Sequence, residues 1–364
     1  IMWLFWDITF LFLITMFVSI ESTNISTVTY DHLPPILWCA PIGCDASGFF
    51  IEILNYFNGL YPMLSKDKLY LDLGLCKQEF LQTLTTNEST MLSNLQVSFT
   101  NTPPNYKDVI FIQHKLPGSK FKSYVYKTHP NRPKLVIGRV MTESIYINKL
   151  ELGALVEAEL DELWVPTAFH RDVYIQHGID SACIYVMPEA INIDYYSADT
   201  NDTLDKPDTS IISRMNPVID DSPSSSTSNP SGVLLPLPLK PYRFLSVFKY
   251  EFRKGLDVLL SAYWNSFNKD DNVELVIRSY KPHWVPGPST VREIIQEYAI
   301  QQYNVELKHL ARVIVIEQHL SSDEMKYLYK SSDVFVLPTR GEGWCLPCIE
   351  AMSCKIPIIV TNFS

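Results

Sequence analysis

Two carboxylates, Glu342 and Glu350, stand out in the nearly uncharged stretch "PTRGEGWCLPCIEAMSC" at residues 338–354. Glu342 lies between two glycines, and Glu350 lies among apolar residues. Burying a lone carboxylate costs free energy unless hydrogen-bond partners are supplied. The pattern therefore indicates that these two acids bind a polar ligand.

The residues around Glu342 predict a strand-to-helix turn that binds phosphate. The apolar run "DVFVLP" predicts a strand ending at Pro338, and the helix is expected over residues 344–354. Glycine lets the backbone approach a ligand closely or take positive φ, and free N–H groups at a helix N-terminus hold phosphate. We expect such binding from the turn and the start of the helix, at Gly341, Gly343, Trp344, Cys345 and Leu346.

One nucleotide sugar would account for both acids. Glu342 in the turn can face sugar hydroxyls, and Glu350, about two turns into the helix, can accept hydrogen bonds from a ribose. A cationic partner for the diphosphate is offered by "FKYEFRKG", where Lys249, Arg253 and Lys254 follow a predicted strand. Solvated charges on a loop are the alternative for these three cations.

Strands and helices alternate along most of the 364 residues. This alternation predicts parallel sheets covered by helices on both faces. We expect an α/β chain of two Rossmann-like doubly wound domains facing across a cleft. The predicted parts are a leader at 1–22, an acceptor domain at 33–196, a disordered Ser/Pro-rich insertion or linker at 197–241, and a donor domain at 242–364.

Several segments resemble the retaining glycosyltransferases of the GT-B fold, family 4. The family's two glutamates, separated by seven residues, correspond to "EGWCLPCIE", and "FKYEFRKGLDVLLSAY" is similar to its diphosphate segment. "SSDVFVLPTR" and "AMSCKIPIIVTN" also fit, whereas "IGRVMTES", "DELWVPTAFHRDVYIQHGI" and "IYVMPEAIN" in the first half match more loosely. The likeness extends over residues 33–361 apart from the insertion.

The resemblance implies transfer of a sugar from a nucleoside diphosphate sugar to a glycan, lipid or protein acceptor. It implies that Glu342 contacts donor-sugar hydroxyls, that Glu350 contacts the ribose, and that Lys249 and Lys254 neutralise the leaving diphosphate. It further implies no metal and no additional cofactor, because basic side chains and a helix terminus supply the electrostatic stabilisation. The nucleobase would meet the backbone at Gln318, His319 and Leu320.

The sequence departs from the family pattern at several positions. Lys249 replaces the usual arginine, and the first loop has separated glycines, Gly43 and Gly48, instead of an adjacent pair. No histidine occurs around "LVIGRVMTES", where Glu143 is the nearest polar candidate. His114, on another strand, is the alternative catalytic candidate, or it only caps the strand end. These departures keep open a noncatalytic sugar- or nucleotide-binding relative, or a GT-B enzyme of another reaction.

Composition and the N-terminal run suggest where the protein works. A net charge of −10 and a pI of about 5.3 argue against a general nucleic-acid binder. The apolar run at residues 8–20 predicts a signal peptide or membrane anchor, with a buried helix as the alternative. Together with four glycosylation sequons it predicts the secretory pathway and a possible membrane tether; the sequons begin at Asn24, Asn87, Asn201 and Asn362.

The seven cysteines and the chain ends leave further questions open. Cys345 and Cys348 have the spacing of a redox pair, although the glycosyltransferase motif explains their position without thiol chemistry. Cys39 and Cys44 could form a disulfide or simply pack. The sequence begins at an isoleucine and ends after a strand-like run, so we expect a piece of a longer protein with an incomplete donor domain.

Overall fold

The computed structural model describes residues 32–40, 48–65, 67–73, 84, 86–101, 104–114, 131–197 and 240–363. The chain forms two compact units. Of the described residues, unit 1 comprises those up to Tyr195 together with Gly341–Leu346, and unit 2 comprises those from Tyr196 to Arg340 and Pro347–Phe363. The predicted leader, the first loop at 41–47 and nearly all of the Ser/Pro-rich insertion lie outside the described residues.

Unit 1 is built on six parallel strands in the order β2-β1-β3-β4-β5-β6. Both β1 and β3 are buried along their whole length, as expected of parallel strands covered on both faces. The strands are β1 Ile36–Ala40, β2 Leu69–Leu73, β3 Ile110–His114, β4 Leu135–Arg139, β5 Glu162–Val165 and β6 Ile184–Val186.

Helices cover this sheet and bury aromatic side chains against it. The first helix packs on one face, where the Trp38 ring lies 5.3 Å from that of Tyr56 and 5.7 Å from that of Phe57. Polar side chains define helix starts, since Asn148 and Thr167 each accept a hydrogen bond from a first-turn N–H. The helices are α1 Gly48–Leu60, α2 Thr86–Asn101, α3 Lys149–Glu157, α4 Ala168–Gln176 and α5 Ile193–Ser197.

Unit 2 is built on five parallel strands in the order β11-β10-β7-β8-β9. The predicted capping box of Ser321 and Glu324 is confirmed, and a second one joins Thr290 and Glu293. The elements are β7 Tyr242–Lys249, α6 Leu256–Ser266, β8 Val273–Tyr280, α7 Val291–Tyr303, β9 Val313–Ile316, α8 Ser322–Lys330, β10 Val334–Leu337, α9 Leu346–Ser353 and β11 Ile358–Val360.

The predicted α/β class with two doubly wound parallel sheets is confirmed. In such sheets ligands bind beyond the carboxyl ends of the strands, where the strand order reverses. The reversal lies between β1 and β3 in unit 1 and between β7 and β10 in unit 2. Within the described ranges, no helix is both long enough and apolar enough to cross a membrane.

A buried ionic cluster joins the strand ends of unit 1 to α1. Glu52 on α1 accepts a hydrogen bond from Arg139 Nε at 2.7 Å and lies 3.0 Å from His114 Nε2. Arg139 also donates to the Met187 carbonyl at 2.7 Å. All three charged or titratable side chains are essentially inaccessible to solvent, so the cluster compensates charges that would otherwise be very costly to bury.

The pKa values of Glu52 in this cluster and of the buried Glu189 are shifted in opposite directions. Burial raises the pKa of Glu52, but Arg139 and His114 together lower it by more than burial raises it. The net pKa is therefore lowered, and Glu52 remains ionised. Burial, followed by the charge of Glu52, raises the pKa of Glu189 well above its usual 4.5, against a smaller lowering by Arg139. Glu189 is therefore held in its neutral form.

Gly255→Ala should destabilise unit 2. Gly255 has φ of +73°, and an added Cβ would lie 2.1 Å from the Pro338 carbonyl oxygen. We expect a loss of about 1–3 kcal/mol from backbone strain alone, with the steric conflict adding to it. Thermal unfolding of the full chain measures the change.

Gly153→Ala is the matched control for this substitution. Gly153 lies within α3, and an added Cβ would meet nothing within 4 Å. Because alanine favours a helix by about 0.5–1 kcal/mol over glycine, this variant should be slightly more stable than the wild type. Equal melting temperatures for the two variants would contradict the predicted strain at Gly255.

Glu189→Gln should make the stability of the protein less dependent on pH. A carboxyl whose native pKa is raised holds its proton when folded and loses it when unfolded, so wild-type stability falls as pH rises above about 4.5 towards the native pKa. Glutamine cannot ionise and lacks this decline. The variant should gain stability over the wild type between pH 4 and pH 8, measured by denaturant unfolding; a constant difference across that range would argue against a neutral Glu189.

Candidate functional site

The strand-order reversal of unit 2 is bounded by two connections that are bonded to each other. One follows β7 and contains the short 3₁₀ turn Phe252–Lys254, which ends at Gly255. The other follows β10. The Arg340 backbone N–H donates to the Arg253 carbonyl at 2.7 Å, and the Thr339 hydroxyl donates to the same carbonyl at 3.3 Å. These hydrogen bonds hold the two connections together beyond the carboxyl ends of β7 and β10.

The Arg340 side chain reinforces this junction. Its guanidinium forms two hydrogen bonds to the Asp257 carboxylate, at 2.9 and 2.7 Å, and a third to the Phe252 carbonyl at 2.9 Å. It also lies 4.2 Å from the centroid of the Phe252 ring. The hydrogen bond from Arg340 lowers the pKa of Asp257, and this lowering outweighs the rise that burial causes. Neither Arg340 nor Asp257 was identified as a site residue from the sequence.

The predicted diphosphate-binding cations lie at this junction. Lys249 is the last residue of β7, while Arg253 and Lys254 belong to the 3₁₀ turn that follows. One carboxylate bridges the first two, because Glu251 lies 2.7 Å from Lys249 Nζ and 3.1 Å from the Arg253 guanidinium. The Lys249 ammonium also lies 5.4 Å from the centroid of the Trp284 ring. The structure thus brings Lys249 and Arg253 together through a residue that the sequence analysis left unassigned.

The glycines of the turn after β10 do not take positive φ, one of the two roles expected of them, and the other role, close approach to a ligand, stays a prediction. Among the described glycines, those with positive φ are Gly178, Gly255 and Gly287, so Gly341 and Gly343 are not in that region. An added Cβ at Gly343 would lie 2.4 Å from Met141 Sδ, so a larger residue there would have to displace that flexible side chain. Positive φ occurs at Cys345, at +62°.

The helix following this turn begins later than predicted. It starts at Leu346, not Trp344, and ends at Ser353. Cys345, with its left-handed backbone, lies outside the helix, and Pro347 fits the first turn because its missing N–H is not needed there. The amides of Gly343, Trp344 and Cys345 therefore precede the helix, and the first helical amides are those of Leu346 and Cys348.

Glu342 and Glu350 occupy different environments. Glu342 is buried, with 7% of its surface exposed. The Glu350 carboxylate on α9 accepts hydrogen bonds from the Tyr329 hydroxyl at 2.6 Å and the Tyr196 hydroxyl at 2.9 Å. Burial raises the pKa of Glu350, and these two hydrogen bonds offset only part of that rise. Neither tyrosine carries a sequence signal, because each lies far from Glu350 along the chain.

The predicted nucleobase contacts lie at the carboxyl end of β9. Gln318 and His319 are exposed there, and Leu320 is buried. Desolvation, followed by the charge of Arg278, lowers the pKa of His319. The preceding residue, Glu317, accepts a hydrogen bond from the Val291 N–H at 2.7 Å and so joins this strand end to the start of α7.

In unit 1 the two catalytic candidates differ in accessibility. His114 ends β3 and is fully buried beside Glu52, with its ring centroid 5.8 Å from that of Trp38. This environment matches the strand-end alternative better than direct contact with a substrate. Glu143 is exposed in the segment between β4 and α3.

The cysteine interpretations also change. Cys345 and Cys348 are both disulfide-bonded, so neither is a free thiol for redox or metal chemistry in this state. Cys39 is buried and takes no part in a disulfide, which agrees with the packing alternative, and Cys44 lies outside the described residues. Its Sγ lies 3.7 Å from the Asp72 carboxylate.

The C-terminal part of the chain is similar to known glycosyltransferases. Residues 235–364 match the family model "Glycosyl transferases group 1". The O-antigen chain mannosyltransferase B of Escherichia coli is 39% identical over 44 residues, which are 12% of this chain and 12% of that protein. An uncharacterised glycosyltransferase of Methanocaldococcus jannaschii is 26% identical over 118 residues, which are 32% of this chain and 26% of that protein. The matches thus span well under two thirds of either relative.

Solved structures match over most of the chain. Anabaena Alr3699/HepE in complex with UDP-glucose aligns with a TM-score of 0.60 and 11% identity, covering 91% of this chain and 81% of that one. An E. coli structure described as trehalose-6-phosphate bound with UDP-2-fluoro glucose aligns with a TM-score of 0.57 and 12% identity, covering 91% and 85%. At such identities the likeness establishes the fold alone. Residues 235–364 thus match the glycosyl transferases group 1 model, and the chain has the GT-B fold.

Proposed function

We propose that this protein transfers a sugar from a nucleoside diphosphate sugar to a glycan, lipid or protein acceptor, with retention of configuration and without a metal ion. The observation that carries the proposal is the junction in unit 2. Three basic residues lie at the strand-order reversal, namely Lys249, Arg253 and Lys254. The connection that carries them is joined to the connection after β10 by the hydrogen bond from the Arg340 N–H to the Arg253 carbonyl. The glycosyl transferases group 1 match covers this same part of the chain.

The residues have separate roles in this proposal. Lys249 and Lys254 neutralise the diphosphate as it leaves, and Glu342 orients hydroxyls of the donor sugar. Glu350 accepts a hydrogen bond from the ribose, for which at least one of its two tyrosine hydroxyls must yield. Because Tyr329 is fully buried and Tyr196 is partly exposed, Tyr196 is the one that yields. The exposed backbone after β9 receives the base.

The chemistry follows from where charge develops. As the bond between the sugar and the diphosphate breaks, positive charge grows on the sugar ring and negative charge grows on the leaving phosphate. Fixed cations stabilise that phosphate without reorganising, which is the role a metal ion plays in other transferases. The amides of Leu346 and Cys348 at the start of α9 add partial positive charge at a helix N-terminus.

Nucleotide release from the full chain tests this proposal. The protein is incubated with nucleotide sugars of uridine, guanosine and adenosine, with and without glycan acceptors, in the presence of a chelator. We expect acceptor-dependent turnover that is lowered about 10²–10³-fold by Lys254→Ala, because one electrostatic stabiliser of the transition state is removed. Glu342→Ala should lower it comparably.

The matched control is Lys269→Ala. Lys269 is an exposed lysine of unit 2 that pairs with Asp270. It lies on the connection that leads into β8, at the amino ends of the strands and so away from the proposed site. Its removal should leave turnover unchanged. Saturable nucleotide binding without turnover for any donor would instead support the noncatalytic alternative, towards which the buried position of His114 points. Activity that the chelator abolishes would refute the metal-free mechanism.

We further propose that the protein works in the secretory pathway and carries N-linked glycans. Two sequon asparagines lie in the described residues, Asn87 and Asn362, and both are exposed. The disulfide-bonded state of Cys345 and Cys348 fits an oxidising compartment. Treating the protein from its native source with an N-glycosidase should lower its apparent mass, and substituting both asparagines by glutamine should reduce that shift; an unchanged mass on treatment would count against this location.

A further inference from the structure

We infer that Glu251 sets the preference of the site for the nucleotide-sugar donor over the nucleoside diphosphate product, by competing for the cations that bind the diphosphate. The inference rests on the proposed function, because it assigns a role within the same phosphate site. Glu251 is a residue that adjusts binding through Lys249 and Arg253, without itself touching the reacting atoms.

The geometry of Glu251 supports competition for these cations. Each of its two carboxylate oxygens serves a different cation, Oε1 at 2.7 Å from Lys249 Nζ and Oε2 at 3.1 Å from the Arg253 guanidinium. The Lys249 side chain is 33% exposed and the Arg253 side chain is 20% exposed, so a ligand anion can reach the same two cations. Two cations presented together are a typical receptor for the negatively charged non-bridging oxygens of a diphosphate.

The Glu251 side chain does not cap the turn that it precedes. It precedes the 3₁₀ turn Phe252–Lys254 in the N-cap position, yet its side chain makes no capping hydrogen bond. Asp257, by contrast, is tied to Arg340 and so stabilises the junction itself. The Glu251 carboxylate is directed instead towards the two predicted diphosphate ligands, and Trp284 holds one of them, Lys249, from another side.

Glu251 weakens the binding of a more highly charged anion more strongly than that of a less charged one. Its negative charge lies beside Lys249 and Arg253 and offsets part of the positive charge that these two residues present to a diphosphate. The diphosphate of a nucleotide sugar carries about two negative charges, whereas a free nucleoside diphosphate carries about one more, because its terminal phosphate has a second pKa near 6. Glu251 therefore disfavours the product more than the donor and assists product release when it re-forms its bonds to the cations.

Binding of two ligands that differ in charge tests the inference. The full-length wild type and Glu251→Gln are titrated calorimetrically with UDP, UDP-glucose and inorganic pyrophosphate at pH 8. Glutamine keeps the size of the side chain and removes its charge. We expect UDP and pyrophosphate to bind about three- to tenfold more tightly to the variant, with a smaller gain for UDP-glucose, as a Coulomb interaction at this separation in a partly solvated site predicts.

Two controls separate charge from structure. Glu306→Gln removes the same charge from another ion pair of unit 2, in which Glu306 lies 2.9 Å from Lys308. This pair lies on the connection that leads into β9, at the amino ends of the strands. It should leave all three affinities unchanged. Glu251→Asp retains the negative charge and should retain the wild-type ratio of UDP to UDP-glucose affinity. The gain in Glu251→Gln should also shrink as salt is raised from about 0.05 M to about 0.5 M, since salt screens partly exposed charges.

The outcomes distinguish this inference from the proposed function. If the wild type binds a diphosphate ligand but Glu251→Gln binds UDP no more tightly, or gains equally for UDP and UDP-glucose, the role of Glu251 is refuted and the proposed function stands. If the wild type binds neither pyrophosphate nor any uridine, guanosine or adenosine diphosphate saturably, both are refuted. A melting temperature of Glu251→Gln close to that of the wild type confirms that the comparison concerns folded protein.

Discussion

Unit 2 depends on the close contact between Gly255 and the carbonyl of Pro338. The connection after β7 must turn through a left-handed residue and pass against the end of β10, and only a residue without Cβ can do both. The contact brings the Arg253 carbonyl to the Arg340 N–H and the Thr339 hydroxyl. It thereby determines which side chains share the sheet edge at the strand-order reversal.

The charged groups of this edge are arranged as pairs before any ligand arrives. Arg340 is committed to Asp257 and the Phe252 carbonyl, so it stabilises the junction and is poorly placed to serve a ligand as well. Lys249 and Arg253 both pair with the Glu251 carboxylate, and their side chains stay partly exposed to solvent. The proposed phosphate site therefore uses Lys249 and Arg253, which solvent reaches, and leaves Arg340 to hold the two connections together.

The buried polar groups of unit 1 serve a different purpose. Glu52, His114 and Arg139 compensate one another where three segments of the chain meet at the carboxyl ends of β3 and β4. Removing one partner would leave an uncompensated buried charge, which is far more costly than the net gain from forming the pair. His114 accordingly has a structural explanation that its position at a strand end did not reveal in the sequence.

The sequence by itself determined the strands and helices and the resemblance of the second half to glycosyltransferases. Runs such as "ILWCAP" and "DVIFIQ" are apolar because parallel strands are buried on both faces, so local patterning predicted the strands, the alternation with helices and the α/β class. The capping box at Ser321 and the cations after β7 were equally visible, because each depends on residues that are close in the chain.

Only the tertiary structure decided the partners of these residues. Glu350 meets Tyr196, which is 154 positions away, and Arg340 meets Asp257, which is 83 positions away; no local pattern encodes such pairs. The late start of α9 depends on the left-handed backbone of Cys345, an unfavourable conformation that the surrounding fold imposes. Local propensity reports what a segment prefers, whereas pairing across the sheet edge depends on packing that brings distant segments together.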